Sequence, residues 1–400
     1  MRVINRWLFA TIIVAVMGFS CQFAAASFDS DAHGDILTAH KGGSLGWVEV
    51  NGGSIGGVHT WANNQGADTV REIAVDDIDG DGNGDILTAR KNGPSTGEVT
   101  WTERSDNALA GQPVWFNVSP ANSIASGDLD GDADGDLILG RDDGYITWVE
   151  RNGGNLSGVA NYNMGSVVNV AIGDMDGDTN GDIIVGKATA IQWVERNGNG
   201  ITGVSSAFNL GTATTALEVG NLDNNGDGDI VAGRADGRVT LIQRSGNNIT
   251  GHPWNNNFNV GSIADLALAD VNGDGDDEVI LAQSANGGKV LILDNSGAGF
   301  TRISNMHQAV GNDHSITALD VGDLDGDEFL DIVIGRSDGW MHWMEVSNGG
   351  ATIGGVQNYN MGDAITDLRI ASPTPIPEPA SIALLLASGL VGLLGIRRRS

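Results

Sequence analysis

Between residues 27 and 371 the chain alternates short apolar runs with turns rich in Gly, Asn and Asp, and the three-and-four apolar spacing of a helix is never sustained. The pattern predicts strands almost throughout. A typical unit reads Val168 to Gly173, an acidic loop from Asp174 to Asp182, then Ile183 to Gly186, then Ile191 to Glu195, a Gly/Asn turn and a final weaker strand. Four short strands separated by turn signals make one blade-like sheet. The runs Ile36-Leu37, Ile86-Leu87, Leu137-Ile138-Leu139, Ile183-Ile184-Val185, Ile230-Val231, Val279-Ile280-Leu281 and Ile332-Val333-Ile334 are apolar at consecutive positions. Strands of that kind are buried on both faces, as in stacked sheets.

The unit recurs seven times, with loops beginning at Ser27, Asp77, Asp128, Asp174, Asn221, Asp270 and Asp323. Its length of about 49 residues suits a propeller blade and is too long for a turn of a hexapeptide β-helix. The ends of the region set its topology. Ser27 enters at a loop without the strand that precedes every other loop, whereas Ala364 to Ala371 is such a strand with no loop after it. Gln357-Asn358-Tyr359-Asn360-Met361-Gly362 repeats Ala160-Asn161-Tyr162-Asn163-Met164-Gly165 and fixes the register. An all-β, seven-bladed β-propeller over 27–371 is therefore expected, in which the C-terminal strand completes the first blade and removes the free sheet edges of an open array.

Each loop has the form Asp-x-Asp-Gly-Asp-x-x-x-Asp, with oxygen-bearing side chains at positions one, three, five and nine. The candidate metal ligands are Asp29, Asp31 and Asp35; Asp77, Asp79, Asp81 and Asp85; Asp128, Asp130, Asp132 and Asp136; Asp174, Asp176, Asp178 and Asp182; Asn221, Asp223, Asn225 and Asp229; Asp270, Asn272, Asp274 and Glu278; and Asp323, Asp325, Asp327 and Asp331. Alternating carboxylates plus a carbonyl at position seven are what calcium takes, with its six to eight oxygens in flexible geometry. An EF-hand would need flanking helices and an acid at position twelve, where Thr88, Leu139 and Val185 stand. Magnesium prefers a more hydrated octahedron, and soft metals want Cys or His that these loops do not present together. One such loop reads equally well as an Asp/Gly turn; seven in register favour Ca2+, up to seven ions. The first and fifth loops, with Ser27 and with Asn221 and Asn225, are expected to bind weakest.

Charge follows the loops. Over 27–371 the 16 Lys and Arg stand against 50 Asp and Glu, a formal charge of −34. Such a surface repels phosphate backbones, so no nucleic acid partner is expected. Seven divalent ions would reduce the figure to about −20, so folding and metal loading are expected to be coupled.

Residues 1–26 carry Arg2 and Arg6, an apolar run from Leu8 to Met17 and then Ala24-Ala25-Ala26, the layout of a cleavable signal peptide. The alternative, a lipoprotein with Cys21 as its first mature residue, is disfavoured by Gly18 and Phe19 before it. Cys21 is the only cysteine, so the mature chain has no disulfide to hold it. At the other end a Pro-rich linker, 372–379, precedes an apolar run and a basic tail in 380–400 that includes Arg397, Arg398 and Arg399. The order Pro377-Glu378-Pro379, apolar helix, basic cluster resembles the PEP-CTERM sorting signal of Gram-negative bacteria that make extracellular polysaccharide. That resemblance implies transient anchoring in the inner membrane and cutting by an exosortase-type processing protease. A permanent C-terminal anchor is the other reading of the same segment.

The region 27–371 also resembles the FG-GAP/VCBS repeat family of integrin-α-like propellers, most closely at Gly322-Asp323-Leu324-Asp325-Gly326-Asp327 with Asp331-Ile332-Val333-Ile334-Gly335. The resemblance implies calcium in the loops and a seven-bladed ring. Trp47, Trp101, Trp148, Trp193 and Trp343 share one position, taken by Leu241 and Ile292 in the other two units, and exchange with aliphatics argues for packing between blades. Trp61, Trp115, Trp254 and Trp340 are the better candidates for exposed contact, although turn packing is the plainer reading. The seven histidines share no spacing, and no nucleophile, base or paired acid stands out from the metal loops. The expected function is an exported, calcium-binding, non-catalytic surface module that binds extracellular polysaccharide or a surface protein in adhesion or biofilm. The alternative is a calcium-dependent polysaccharide lyase or hydrolase on the same scaffold. Its expected place is the cell surface or extracellular matrix.

Overall fold

The computed structural model describes residues 33–371 apart from 52, 62–68, 79–83, 93–94, 103, 106–107, 110–113, 131–134, 153–154, 179, 197–200, 224, 226, 252–257, 285–286, 296–299, 303–306, 309–313, 328 and 348–351. The expected signal peptide, linker and tail lie outside the described residues, as do Asp29, Asp31, Asp79, Asp81 and Asp132. Every regular element among the described residues is a strand.

Seven antiparallel sheets form the blades. Their innermost strands are Ile365–Ala371, Thr69–Asp76, Ala121–Gly127, Asn169–Gly173, Thr214–Gly220, Ile263–Ala269 and Ile316–Gly322, and each touches the next around a complete circle. The closure is the one the split first unit predicts. Ile365–Ala371 pairs with Asp35–His40, with Ile36 opposite Ile370 and Leu37 opposite Arg369, and the same sheet continues through Leu45–Val50 to Ile55–Trp61. Blades four to six differ from the simple four-strand expectation. Their outermost strand is broken in two, as in Ile201–Val204 and Phe208–Asn209. The Ser205-Ser206-Ala207 interruption is held in place because the Trp193 amide donates to Ser205 Oγ at 2.9 Å.

The core is divided into seven apolar layers, one between each pair of neighbouring blades. Leu37, Ala39 and Trp47 of the first blade, for example, pack on Val70, Ile73 and Ile86 of the second. This explains the consecutive apolar positions, since a strand between two such layers buries both faces. The five equivalent tryptophans lie in these layers and are at most 9% exposed, which bears out packing as their main role. Trp340, outside that series, is 36% exposed.

Because every blade starts at the axis and repeats the same antiparallel order, the acidic loops that join the first strand to the second all emerge on one face. The opposite face carries the turns between second and third strands. Gly144, Gly237 and Gly339 there have φ of 85°, 81° and 84°. A Cβ on Gly144 would also lie 2.3 Å from the Gly165 carbonyl oxygen, so only glycine fits.

At the axis the inner strands have no further ladder partner, and carboxylates of the adjacent blade accept their amides. Ile73 N–H donates to Asp367 Oδ2 at 2.7 Å, Ile124 N–H to Glu72 Oε2 at 2.8 Å, Leu319 N–H to Asp265 Oδ2 at 2.9 Å and Ile370 N–H to Asp320 Oδ2 at 2.7 Å. These acids and Glu218 all act on the charge of Arg369, and a cavity of about 220 Å³ is lined there by Glu72, Glu218, Asp265 and Arg369. Burial pushes Glu72 up to about 7 and Glu218 up to about 8, with Arg369 opposing both shifts.

Candidate metal centre

An acidic loop folds as it does because its second residue is apolar and anchored. Ile78, Leu129, Met175, Leu222 and Leu324 are fully buried. The amide of that residue then donates to the carboxylate at position nine: Leu129 to Asp136 at 3.0 Å, Met175 to Asp182 at 3.2 Å, Leu222 to Asp229 at 3.3 Å, Val271 to Glu278 at 2.9 Å and Leu324 to Asp331 at 3.1 Å. The carboxylate at position one accepts from the turn that follows. Asp174 Oδ1 takes the amides of Asp176, Gly177 and Asp178 at 3.2, 2.7 and 3.2 Å, and Asp323 Oδ1 takes that of Gly326 at 2.8 Å. Backbone donors thus pre-arrange the loop, with the side chains' remaining oxygens turned to its centre.

Three loops bring positions one, three and nine together, with oxygens mutually within 4.8 Å: Asp128, Asp130 and Asp136; Asp174, Asp176 and Asp182; Asp323, Asp325 and Asp331. In the fourth and seventh loops, where position five is described, its acid does not join the group. Asp178 and Asp327 instead accept the amides of Asn180 and Phe329, each at 2.9 Å. In the sixth loop the group is Asp274, Glu278 and Asp294, the last a third-strand residue that the loop motif does not contain. Asp270 and Asn272 lie outside that group, although Asn272 Nδ2 donates to Glu278 Oε1 at 2.6 Å. In the second loop Asp77 and Asp85 are described, and in the first Asp35 alone. The fifth loop gathers no such group among the described residues, yet Asp223 and Asp227 both repel the charge of Asp229.

Do these residues fit a cation? Asn221 at position one of the fifth loop is 5% exposed, and its buried Oδ1 has no hydrogen-bond partner. Oδ1 of Asp176 and of Asp325 is in the same condition. Buried acceptors are ordinarily satisfied, so three orphaned oxygens at ligand positions point to an electropositive partner. Electrostatics agree. Burial pushes Asp136 up to about 7, against the Trp148 indole and the Leu129 amide, and the charges of Asp130 and Glu150 add to the rise. Burial likewise lifts Asp331 to about 7 and both Asp229 and Glu278 to about 8. A divalent ion at the centre would reverse this, favouring the ionised form of every carboxylate around it. Several of these clusters can therefore bind metal ions.

Neighbouring centres are also wired together. The amide at position eight donates to the carbonyl at position one of the preceding loop: Gly135 to Asp77 at 3.3 Å, Gly181 to Asp128 at 3.1 Å, Gly228 to Asp174 at 3.0 Å and Asp277 to Asn221 at 2.8 Å. Gly34 of the first loop donates in a similar way to the seventh, at the position-two carbonyl of Leu324, 3.1 Å away. Glycine predominates at this position because of that approach: a Cβ on Gly228 would lie 2.6 Å from the Asp174 carbonyl oxygen.

Comparison with known proteins agrees with the geometry. Residues 270–334, from the sixth acidic loop into the seventh blade, match the FG-GAP-like repeat, and residues 375–399 match the PEP-CTERM protein-sorting motif. No curated protein matches the chain. Among solved structures it is similar to BBS1N in complex with ARL6DN, with a TM-score of 0.54 and 14% identity, covering 86% of this chain and 96% of that one. It is also similar to a candidate 6-phosphogluconolactonase from Bacteroides fragilis NCTC 9343, with a TM-score of 0.59 and 9% identity, covering 85% and 98%. At such identities the likeness shows the fold alone. The sorting motif marks the chain for export to the cell envelope or surface and for processing by an exosortase. The chain is thus a seven-bladed β-propeller that carries an FG-GAP-like repeat and a PEP-CTERM sorting motif.

Proposed function

We propose that the protein is a calcium-loaded, non-catalytic surface propeller that binds extracellular polysaccharide or another surface protein in adhesion or a biofilm matrix. The observation that carries the calcium reading is the convergence of the first, third and ninth acids in three loops, each within 4.8 Å. The loops would hold Ca2+ through those oxygens, with the fifth-position acids and backbone carbonyls making up the remaining coordination. The ions would then neutralise the repulsion among acids on one face and stiffen the loop chain that joins the blades. The adhesive reading is supported by the sorting motif together with the broad loop-built faces of the ring.

The test is a screen of the purified chain against glycans and extracellular polymers, with Ca2+ and again with EDTA. Retention that depends on Ca2+, with no release of reducing or unsaturated sugar, is expected. Turnover of an acidic polysaccharide would replace the adhesive reading with a lyase or hydrolase.

A further inference from the structure

In the sixth blade the acidic cluster is completed from outside the loop, by Asp294 of the third strand. The ladder sets an acid at the equivalent third-strand position of other blades. In the seventh blade Asp331 at loop position nine stands directly across the ladder from Glu345. In the third, fourth and sixth blades Leu137 pairs with Val149, Ile183 with Val194 and Val279 with Leu293. One step along, Asp136 therefore faces Glu150, Asp182 faces Glu195 and Glu278 faces Asp294. Like charges directly opposed on one face of a sheet destabilise it, so a recurrent pair of this kind calls for a counter-ion. In the sixth blade the third-strand carboxylate reaches within 4.8 Å of the loop's own oxygens.

The internal repeats add an independent observation. Among the described residues four blades combine a short acid at position nine with a long one on the third strand: Asp35 with Glu49, Asp136 with Glu150, Asp182 with Glu195 and Asp331 with Glu345. The sixth blade reverses the lengths, with Glu278 and Asp294. Combined reach stays constant while its division changes, as expected of two groups converging on one point. In the fifth blade the partner is Gln243, and this is also the blade whose loop has Asn221 and Asn225, so charge is lost from both sides together.

Two residues before the third-strand acid stands the recurrent tryptophan. Trp148 lies opposite Ile138 and Trp343 opposite Val333, two residues along the ladder from the acid pairs and on the same face, where their indoles favour the ionised forms of Asp136 and Asp331. Where Ile292 replaces the tryptophan, Asn272 Nδ2 supplies the N–H to Glu278 instead. A donor for the ninth carboxylate is kept even as its source changes. Metal-bound carboxylates are typically oriented by such outer partners.

We infer that the Trp-x-Glu segment of the third strand is the second half of the divalent-cation site in the first, third, fourth and seventh blades, with Asp294 in the same place in the sixth. Its acid supplies a further carboxylate ligand, and its tryptophan is a positioning residue for the ninth carboxylate. This rests on the calcium reading of the loops. It also means that the ion ties three strands of a blade together, since the loop already joins the first two.

The test uses the purified chain, titrated with Ca2+ by calorimetry and with Tb3+ by indole-sensitised emission. Asp136→Glu and Glu150→Asp, singly, should each move one equivalent of Ca2+ to an affinity about tenfold weaker. Together they copy the sixth blade's arrangement and should restore it. Trp148→Phe should remove about a fifth of the sensitised emission, since five blades carry the tryptophan. Single exchanges that leave every affinity unchanged, or a double exchange weaker than both, would overturn the inference. Asp130→Asn separates the two layers of the argument. If it removes one equivalent while Glu150→Asp changes nothing, the loops bind calcium without the third strand; if neither has an effect, the calcium reading itself falls.

Discussion

Replacing Glu218 by glutamine should stabilise the protein, and only above acidic pH. Glu218 faces the axial cavity, where burial, then Asp265, Asp320 and Glu72, raise it from 4.5 to about 8 against the pull of Arg369. A raised carboxylate keeps a proton in the folded state that the unfolded chain has released, so stability falls as pH climbs from about 4.5 to 8. At about 1.4 kcal/mol per pH unit the loss is at most about 5 kcal/mol. The effective dielectric of a buried site is higher than that of dry protein, which brings the figure to about 2–3 kcal/mol. A chain of this size unfolds with an entropy of about 0.7 kcal/mol per kelvin, so Glu218→Gln should melt about 3–4 °C higher at pH 9. At pH 4 the two proteins should melt together. Scanning calorimetry at both pH values, in saturating Ca2+, measures the difference. Equal melting temperatures at pH 9, or a lower one for the variant, would refute the claim that the axial acids oppose one another in a poorly hydrated channel.

The packing makes two further predictions. Gly228→Ala forces a Cβ to 2.6 Å from Asp174 O and 3.1 Å from Val219 Cγ1, so thermal unfolding should show a loss of about 1–3 kcal/mol. Gly354→Ala, with nothing within 4 Å, should fall within about 0.5 kcal/mol of the parent, and similar losses at both sites would contradict the loop-to-loop contact. Trp343→Ala empties a fully buried position in the layer between the seventh and first blades, at a cost of about 3–5 kcal/mol in urea unfolding. A loss below about 1 kcal/mol would mean that the closing layer contributes little.

The ring was legible because closure leaves a local trace. A first unit without its inner strand, a last strand without its loop, and the repeated Asn-Tyr-Asn-Met-Gly turn together specify the pairing of Asp35–His40 with Ile365–Ala371. The acidic loops were legible for a similar reason, since their candidate ligands lie within nine consecutive residues. The third-strand acids were not, although Trp-x-Glu recurs plainly, because the ladder pairs them with residues 13 to 16 positions earlier, as Asp331 with Glu345. The axial acids left weaker marks still. Glu72, Glu218, Asp265, Asp320 and Asp367 come from five blades and two registers, and each meets the others only once the circle is closed. What sequence does offer, at Glu218, Asp265 and Asp320, is a lone charge in an inner strand of apolar and small residues, a signal that a search for buried runs passes over.

Thermal unfolding of the purified chain in millimolar Ca2+ and in EDTA bears most directly on the coupling of metal to fold. Each site held at a hundred times its dissociation constant adds about 2.7 kcal/mol, so the four loops with acids at all four positions should together add about 11 kcal/mol. With the entropy above, that corresponds to a rise of about 15 °C. We expect a calcium-dependent increase of at least about 10 °C, growing with ion concentration. Melting curves that coincide in Ca2+ and EDTA would contradict the claim that clustered carboxylates and their cations hold the blades in a ring.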